Sequence, residues 1–282
     1  MSYRFIPSEE DKLKIINLYN SGVNCPEIGD MYNVWSHTIV AFLKRNNIRI
    51  RTKSERGRKY SCDEHFFDNI DTEAKAYFFG LLFADGCNRK RDVNISLQEG
   101  DVKVLYNIKE LVQPDKPLYY TDRSKNYVNN KNFYTLNIQS KHMCNILNDY
   151  GLTPRKSLTK KFPQIILDSN EDIQRHFIRG YFDGNGYISV NYANNNNKYA
   201  QCAVGFSSSK EFCNGLLKIF TYILNDEYTP IIRSEREDNQ GIYSISLYKK
   251  FYCKMFLNWI YYNANFYIDR KFEKYTQFIN TY

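Results

Sequence analysis

Two stretches lying 100 residues apart, Ala76–Gly86 (AYFFGLLFADG) and His176–Gly186 (HFIRGYFDGNG), constrain the fold of this chain more than any other feature. Aligned, they set Gly80 over Gly180, Ala84 over Gly184, Asp85 over Asn185 and Gly86 over Gly186. Each reads as an apolar, aromatic-rich helix closed by a glycine, the residue that most cheaply adopts a left-handed conformation past a helix C-terminus. Within each helix two small residues stand four apart on one face, Gly80 with Ala84 and Gly180 with Gly184. Such a stripe lets another backbone approach closely. Because the stripe occurs twice, the expected partner of each helix is the other. Their last turns then bring position 85 beside position 185, and an acid there is a group that holds a divalent metal against phosphate.

The pattern after each helix repeats as well. In the first half, alternation over Val93–Leu97 predicts a strand, Asp101–Val112 an amphipathic helix, Leu118–Arg123 and Phe133–Ile138 a hairpin, and His142–Tyr150 a helix. In the second half Tyr187–Tyr192 and Tyr199–Phe206 flank a turn. Glu211–Leu224 follows as a helix, Ile231–Arg236 and Ile242–Leu247 as a hairpin, and Phe251–Tyr261 as a helix. The fold class expected is α+β: two pseudo-symmetric α-β-β-α-β-β-α repeats, at 72–165 and 166–282, each with an antiparallel sheet. Polar and aromatic side chains assigned to the free sheet faces are Asn94, Ser96, Tyr120, Asp122, Tyr134, Asn137, Ser189, Asn191, Arg233, Glu235, Ser244 and Ser246. On an open twisted sheet such groups can reach base edges in a major groove.

Residues 1–48 read as a small all-α domain. Ser8 caps a helix whose first turn carries Glu9, Glu10 and Asp11, with Leu13, Ile16 and Leu18 inward and Gly22 at its end. Pro26 opens a short second helix, Asn33-Val34 makes a turn, and Ser36 begins a third helix with Ile39, Val40 and Leu43 inward. The segment resembles the helix-turn-helix family, with Gly29 where alanine is usual, and this places His37, Thr38, Lys44 and Arg45 on or near a DNA side. Residues 49–71 are expected to be a basic linker, in which Arg49, Arg51, Lys53, Arg56 and Arg58 follow a phosphate backbone or lie in a minor groove. The net charge of +8 is uneven: residues 1–60 carry eleven Lys/Arg against six Asp/Glu, so +5 of it falls there. That imbalance points to a polyanionic partner.

Phe78–Gly86 (FFGLLFADG) and Ile178–Gly186 (IRGYFDGNG) resemble the nine-residue signature of the LAGLIDADG homing endonucleases in their monomeric, two-motif form, over about residues 72–282. The resemblance implies a site-specific nuclease whose two sheets form a saddle over double-stranded DNA with a long, asymmetric target. It implies phosphodiester hydrolysis with Mg2+, for which Ca2+ is a non-catalytic substitute. Asp85 would be a metal ligand, with position 185 and the carbonyl groups of Ala84 and Gly184 beside it. A lysine near each site would balance charge; the matching dipeptides Arg155-Lys156 and Arg270-Lys271 make Lys156 and Lys271 the candidates, with Arg155 and Arg270 on phosphates. The chain departs from the family at Asn185, which replaces the second catalytic acid. Asp183 does not rescue the site, since two residues earlier it is rotated about 200° round the helix. Natural decay, nicking of one strand, and a substitution that traps uncut DNA all remain open.

Seven cysteines, an odd number without a Cys-x-x-Cys pair, argue against a disulfide framework and a zinc site, and fit a reducing compartment. No apolar run reaches the roughly 18 residues of a membrane span, and no signal-peptide pattern opens the chain. A soluble, monomeric, intracellular protein is expected, in cytoplasm, nucleoid or an organelle. The chain begins Met-Ser and ends Asn280-Thr281-Tyr282, without the terminal groups that protein splicing needs, so an intein is not expected. The alternatives to a nuclease are a non-cleaving nucleic-acid binder of the same fold (an RNA-splicing maturase or a DNA-binding regulator) and an unrelated two-repeat binding module.

Overall fold

The computed structural model describes residues 5–51, 55, 60–123, 131–154, 160–191, 201–225, 228–234 and 241–281, in two compact units, Met1–Tyr60 and Ser61–Tyr282. The first unit holds α1 (Glu9–Asn20), α2 (Cys25–Met31) and α3 (Ser36–Arg45). Ser8 caps α1 by accepting from the Asp11 amide at 3.1 Å, and Gly22, with φ +108°, turns the chain out of it. Ile15, Tyr19, Cys25, Ile28, Ile39, Phe42 and Leu43 form the core. Leu13, expected inward, is 65% exposed; the buried stripe of α1 runs through Ile15 and Tyr19, four apart, and leaves Leu13 on the other side. The α2–α3 turn passes through Asn33 at φ +51°. A Cβ at Gly29 would lie 2.5 Å from the Val34 carbonyl oxygen, so this tight turn excludes even alanine.

The expected linker is shorter than 49–71 at both ends. Ile48 and Ile50 pack on the first unit's core, while Phe66, Phe67 and Ile70 are buried in the core of the second unit. Lys53, Arg56 and Arg58 lie outside the described residues.

In the second unit each half runs helix, two strands, helix, two strands, helix. The first has α4 (Glu73–Asp85), β1 (Gly86–Asn88), β2 (Val93–Gln98), α5 (Val102–Val112), β3 (Tyr119–Thr121), β4 (Phe133–Ile138) and α6 (Lys141–Asp149). A short α7 (Gln164–Leu167) leads to the second half: α8 (Glu171–Asn185), β5 (Gly186–Asn191), β6 (Gln201–Ser208), α9 (Lys210–Ile223), β7 (Ile231–Ser234), β8 (Tyr243–Leu247) and α10 (Lys250–Tyr261). The sheets are antiparallel with matching orders, β1-β2-β4-β3 and β5-β6-β8-β7. The fold is therefore the expected α+β duplication, and β1, α7 and one further helix add to the elements predicted from the sequence. A last helix, α11 (Asp269–Thr281), has no counterpart among the predicted elements. Its start meets the first half: Arg270 forms a two-pronged ion pair with the buried Asp101 (2.9 and 3.0 Å from Nε), and Lys103 reaches Asp269 at 3.1 Å.

One core joins both halves, and α4 and α8 run through its middle. Gly86 and Gly186 end these helices at φ −80° and −83°, in extended rather than left-handed backbone. Glycine is required there by crowding: a Cβ at Gly86 would stand 2.5 Å from Leu82 Cδ2, and one at Gly186 would strike the Phe182 ring. The chain enters the first strand of each sheet directly from the helix, so the sheets are held by the helix ends.

Candidate functional site at the paired helix ends

The two small-residue stripes meet as expected. A Cβ at Gly80 would overlap the Phe177 carbonyl oxygen, and one at Gly180 would overlap that of Tyr77. The reciprocity of 77 with 180 and 177 with 80 is that of a local two-fold axis. Farther along, a Cβ at Gly184 would overlap Ala84 Cβ and lie 2.9 Å from Asp85 Oδ2. The Asp85 carboxylate thus lies across the helix seam against the bare backbone of Gly184, at the exposed end of the pair. Asn185 is half-buried and points its Nδ2 at Tyr181 Oη, 3.3 Å away.

Two lysines are buried beneath these ends. Lys160 Nζ donates to the Phe83 carbonyl at 3.1 Å and to Tyr181 Oη at 3.2 Å. Lys271 donates to the Gly186 carbonyl, and burial, with Arg270 next to it, pushes its ammonium down to about 8. Lys271, named from the matching dipeptides, thus lies at the end of α8. Arg155 and Lys156 lie outside the described residues; Lys160, four residues on, is the first-half lysine seen at the helix ends. The available signal was the Lys160-Lys161 pair directly before Phe162-Pro163.

A polar lock lies deeper in the seam, and sequence reasoning missed it. Arg179, fully buried, donates to the carbonyls of Phe266 (2.7 Å) and Ile260 (2.9 Å) and pairs with Glu73 of the opposite helix. Burial raises the Glu73 carboxyl, but donors from Asn265 and the charge of Arg179 outweigh it and hold the group below its ordinary value. Asp183, also fully buried, accepts from Tyr77 Oη (2.8 Å), Tyr261 Oη (2.7 Å) and the Ile268 amide (2.8 Å). Burial pushes its carboxyl up to about 6 in spite of these donors. It faces away from the helix ends, as its place on the helix required. Replacing Asp183 by leucine, Asp183→Leu, should strip three buried donors of their acceptor. A loss of about 3–5 kcal/mol in denaturant unfolding is expected; a loss below about 1 kcal/mol would show that the lock is not needed.

The strand registers decide which side chains occupy the free faces. In the first sheet Val93, Ile95 and Leu97 point to the core, which leaves Asn94, Ser96 and Gln98 on the other side. Thr135 pairs with Ser96, and their hydroxyls are 2.7 Å apart. Tyr134 and Tyr120 do not belong to this set. Tyr134 pairs with the buried Leu97 and Tyr120 with Tyr134, so both rings lie on the helix side, with Tyr134 near Tyr106 of α5. Asp122 follows β3 and is exposed. In the second sheet Ser189 pairs with Ala203 and Asn191 with Gln201, while Arg233 pairs with Ser244, all in free-face register. Ser246 shares that face but is buried, bonded to Tyr187 Oη at 2.6 Å. Glu235 lies outside the described residues.

Three other basic residues have protein partners. Arg270 is engaged by Asp101, which ties the start of α11 to the first half. Arg51 donates to the carbonyls of Gly22 (2.8 Å) and Val23 and stacks on the Tyr19 ring at 4.3 Å, holding its segment to the helical unit. Arg49 pairs with Glu55 at 2.7 Å. In the helical unit His37 and Lys44 are exposed on α3 and Thr38 is half-buried. Arg45 is exposed as well and donates to Ala41 O and Phe5 O, both at 3.3 Å. Among the described residues no helix is long and apolar enough to cross a membrane.

No protein-family model matches the chain. Two proteins of Methanocaldococcus jannaschii are similar in sequence. A probable translation initiation factor IF-2 is 29% identical over 187 residues, which take in 64% of this chain and 14% of that protein. DNA-directed RNA polymerase subunit Rpo1C is 30% identical over 121 residues, 40% of this chain and 12% of that protein. The chain thus spans a small fraction of either relative. Similar solved structures include the I-LtrWI LAGLIDADG homing endonuclease bound to target DNA, 12% identical, with 75% of this chain and 90% of that chain covered at a TM-score of 0.49. The LAGLIDADG meganuclease I-CpaMI bound to uncleaved DNA is 11% identical, with 74% and 90% covered at a TM-score of 0.49.

Proposed function

We propose that this chain is a site-specific binder of double-stranded DNA of the LAGLIDADG homing endonuclease type, with metal-dependent phosphodiester cleavage limited by Asn185 to nicking or to a very low rate. The observation that supports this best is the helix seam. It sets one carboxylate, Asp85, against a bare glycine backbone at the point where two polar-faced antiparallel sheets leave their helices.

A divalent cation suits this place. Asp85 is exposed, its Oδ2 packs against the bare backbone of Gly184, and hard cations take carboxylate and carbonyl oxygens. Asp85 would hold Mg2+ with the carbonyl groups of Ala84 and Gly184 and the amide oxygen of Asn185. The ion would supply Lewis acidity and an acidified water. Lys160 and Lys271 balance the charge that builds on the phosphate, and the lowered pKa of Lys271 suits it to proton exchange near neutral pH. Asn94, Ser96, Ser189, Arg233 and Ser244 face the bases, and His37, Thr38 and Lys44 form the contact of a helix-turn-helix unit. The second reading, a non-cleaving binder of the same fold, is favoured by Asn185 alone.

The test is selection of a bound duplex from a randomised library in Ca2+, followed by Mg2+. Tight, sequence-selective binding with slow nicking of one strand is expected. Binding without any cut would favour the second reading, and no selective duplex binding would end both. Deleting residues 1–60 should weaken binding and flatten its salt dependence by roughly 0.9 in the log–log slope for each phosphate that is no longer neutralised. An unchanged slope would assign that unit another task.

A further inference from the structure

We infer that His65, Asp68 and His142 form a binding site for a first-row divalent metal ion, Zn2+ in its chemistry, separate from the paired helix ends. The chain has only four histidines, and two of them converge on one carboxylate from distant parts of the sequence. His65 Nδ1 lies 2.6 Å from Asp68 Oδ2, and His142 Nε2 lies 2.5 Å from Asp68 Oδ1. The imidazole rings are tilted 51° to each other with centroids 4.6 Å apart. All three ligand atoms lie within 4.8 Å of one another. Tetrahedral ligands at 2.0–2.2 Å from one zinc ion stand roughly 3.3–3.6 Å apart, so small side-chain rotations close the set.

The backbone under these side chains is built in place. His65 and Asp68 occupy a turn whose Phe66 and Phe67 are buried in the core. The His65 amide donates to Asp63 Oδ1 at 3.0 Å, and Tyr150 Oη donates to the Asp68 carbonyl at 3.1 Å. His142 sits in the first turn of α6, capped by Ser140. The side chains of His65, Asp68 and His142 are 53%, 37% and 38% exposed, which leaves an entry path and room for a water as fourth ligand.

The donor set selects the ion. Two imidazole nitrogens and one carboxylate suit Zn2+ and its neighbours, whereas Mg2+ prefers oxygen alone. In the free protein both imidazole edges are directed at one carboxylate, so an ion entering between them replaces the two hydrogen bonds with bonds from both imidazole nitrogens and the carboxylate to the metal. The bound ion ties the turn to α6 across 74 residues of chain. It binds the folded state preferentially and therefore stabilises it. The inference does not rest on the nuclease reading.

The experiment uses untagged, chelator-stripped full-length protein, since a polyhistidine tag would mask the result. Zn2+ at about a hundredfold above its Kd should raise the Tm by roughly 5–10 °C, and Mg2+ should not substitute. Co2+ should give the intense visible absorption of a tetrahedral site. Asp85→Asn should retain both responses, which separates this site from the helix ends. The double variant His65→Ala/His142→Ala should lose them; should it fail to fold, the milder Asp68→Asn provides the same readout. No Tm shift in the unaltered protein, or a shift and Co2+ spectrum that persist in these variants, would overturn the assignment.

Discussion

Asn185→Asp should turn a protein that nicks slowly or not at all into one that cuts both strands, with a gain on the order of 100-fold or more in double-strand cleavage with Mg2+. The substitution keeps the side-chain volume and exchanges a neutral amide for a carboxylate on the helix end facing Asp85. Asn185 now donates to Tyr181 Oη; a carboxylate would lose that donor and face like charge from Asp85 across Gly184. Such a pair resists double ionisation until a cation arrives. Mg2+ affinity should therefore rise together with rate, while DNA binding in Ca2+ should change little. The reverse substitution, Asp85→Asn in the present chain, should abolish residual nicking. The proposal sinks if the Asn185→Asp protein folds, binds its selected duplex normally, and still cuts neither strand.

How much of this was legible in the sequence depended on the kind of signal. The helix pair could be read because a bare stripe at 80 and 84 recurs at 180 and 184, and a repeated absence of side chains has few physical explanations. The second sheet was legible where β-branched and polar residues alternate cleanly, as at Ile188, Ser189 and Val190. The first hairpin was not. Tyr119-Tyr120 and Phe133-Tyr134 put aromatics on both faces, so hydrophobicity could not choose a register, and only the pairing of Tyr134 with Leu97 settles it. The partners of basic residues were hidden for a related reason. Arg51, Arg270 and Arg179 look alike in a charge count, yet each is engaged by protein acceptors that only the fold brings near. The same holds for the histidine pair, since positions 65 and 142 carry no hint of proximity until α6 packs beside the turn.

The glycine seam gives the largest expected effect on stability. Gly180→Leu should destabilise the second unit by on the order of 3 kcal/mol or more, and Gly180→Ala should already be costly. Even a single Cβ at 180 would overlap the Tyr77 carbonyl oxygen and stand 3.0 Å from the Leu81 amide nitrogen, and these are backbone atoms that cannot swing aside. Relief requires the helices to separate. Separation would pull on Asp183, whose carboxylate holds Tyr77 of the opposite helix, and on the Arg179–Glu73 pair. It would also change the angle between the sheets, because β1 and β5 begin at the residues that end α4 and α8. Gly180→Ala should therefore lower both the unfolding free energy and the affinity for the selected duplex, and Gly80→Ala should match it through the symmetric contact with Phe177. A control at Gly100, where a Cβ would meet nothing within 4 Å, should change neither. If Gly180→Ala and Gly80→Ala unfold and bind like the unaltered protein, the helices do not meet along this seam, and the placement of Asp85 beside Gly184 falls with it.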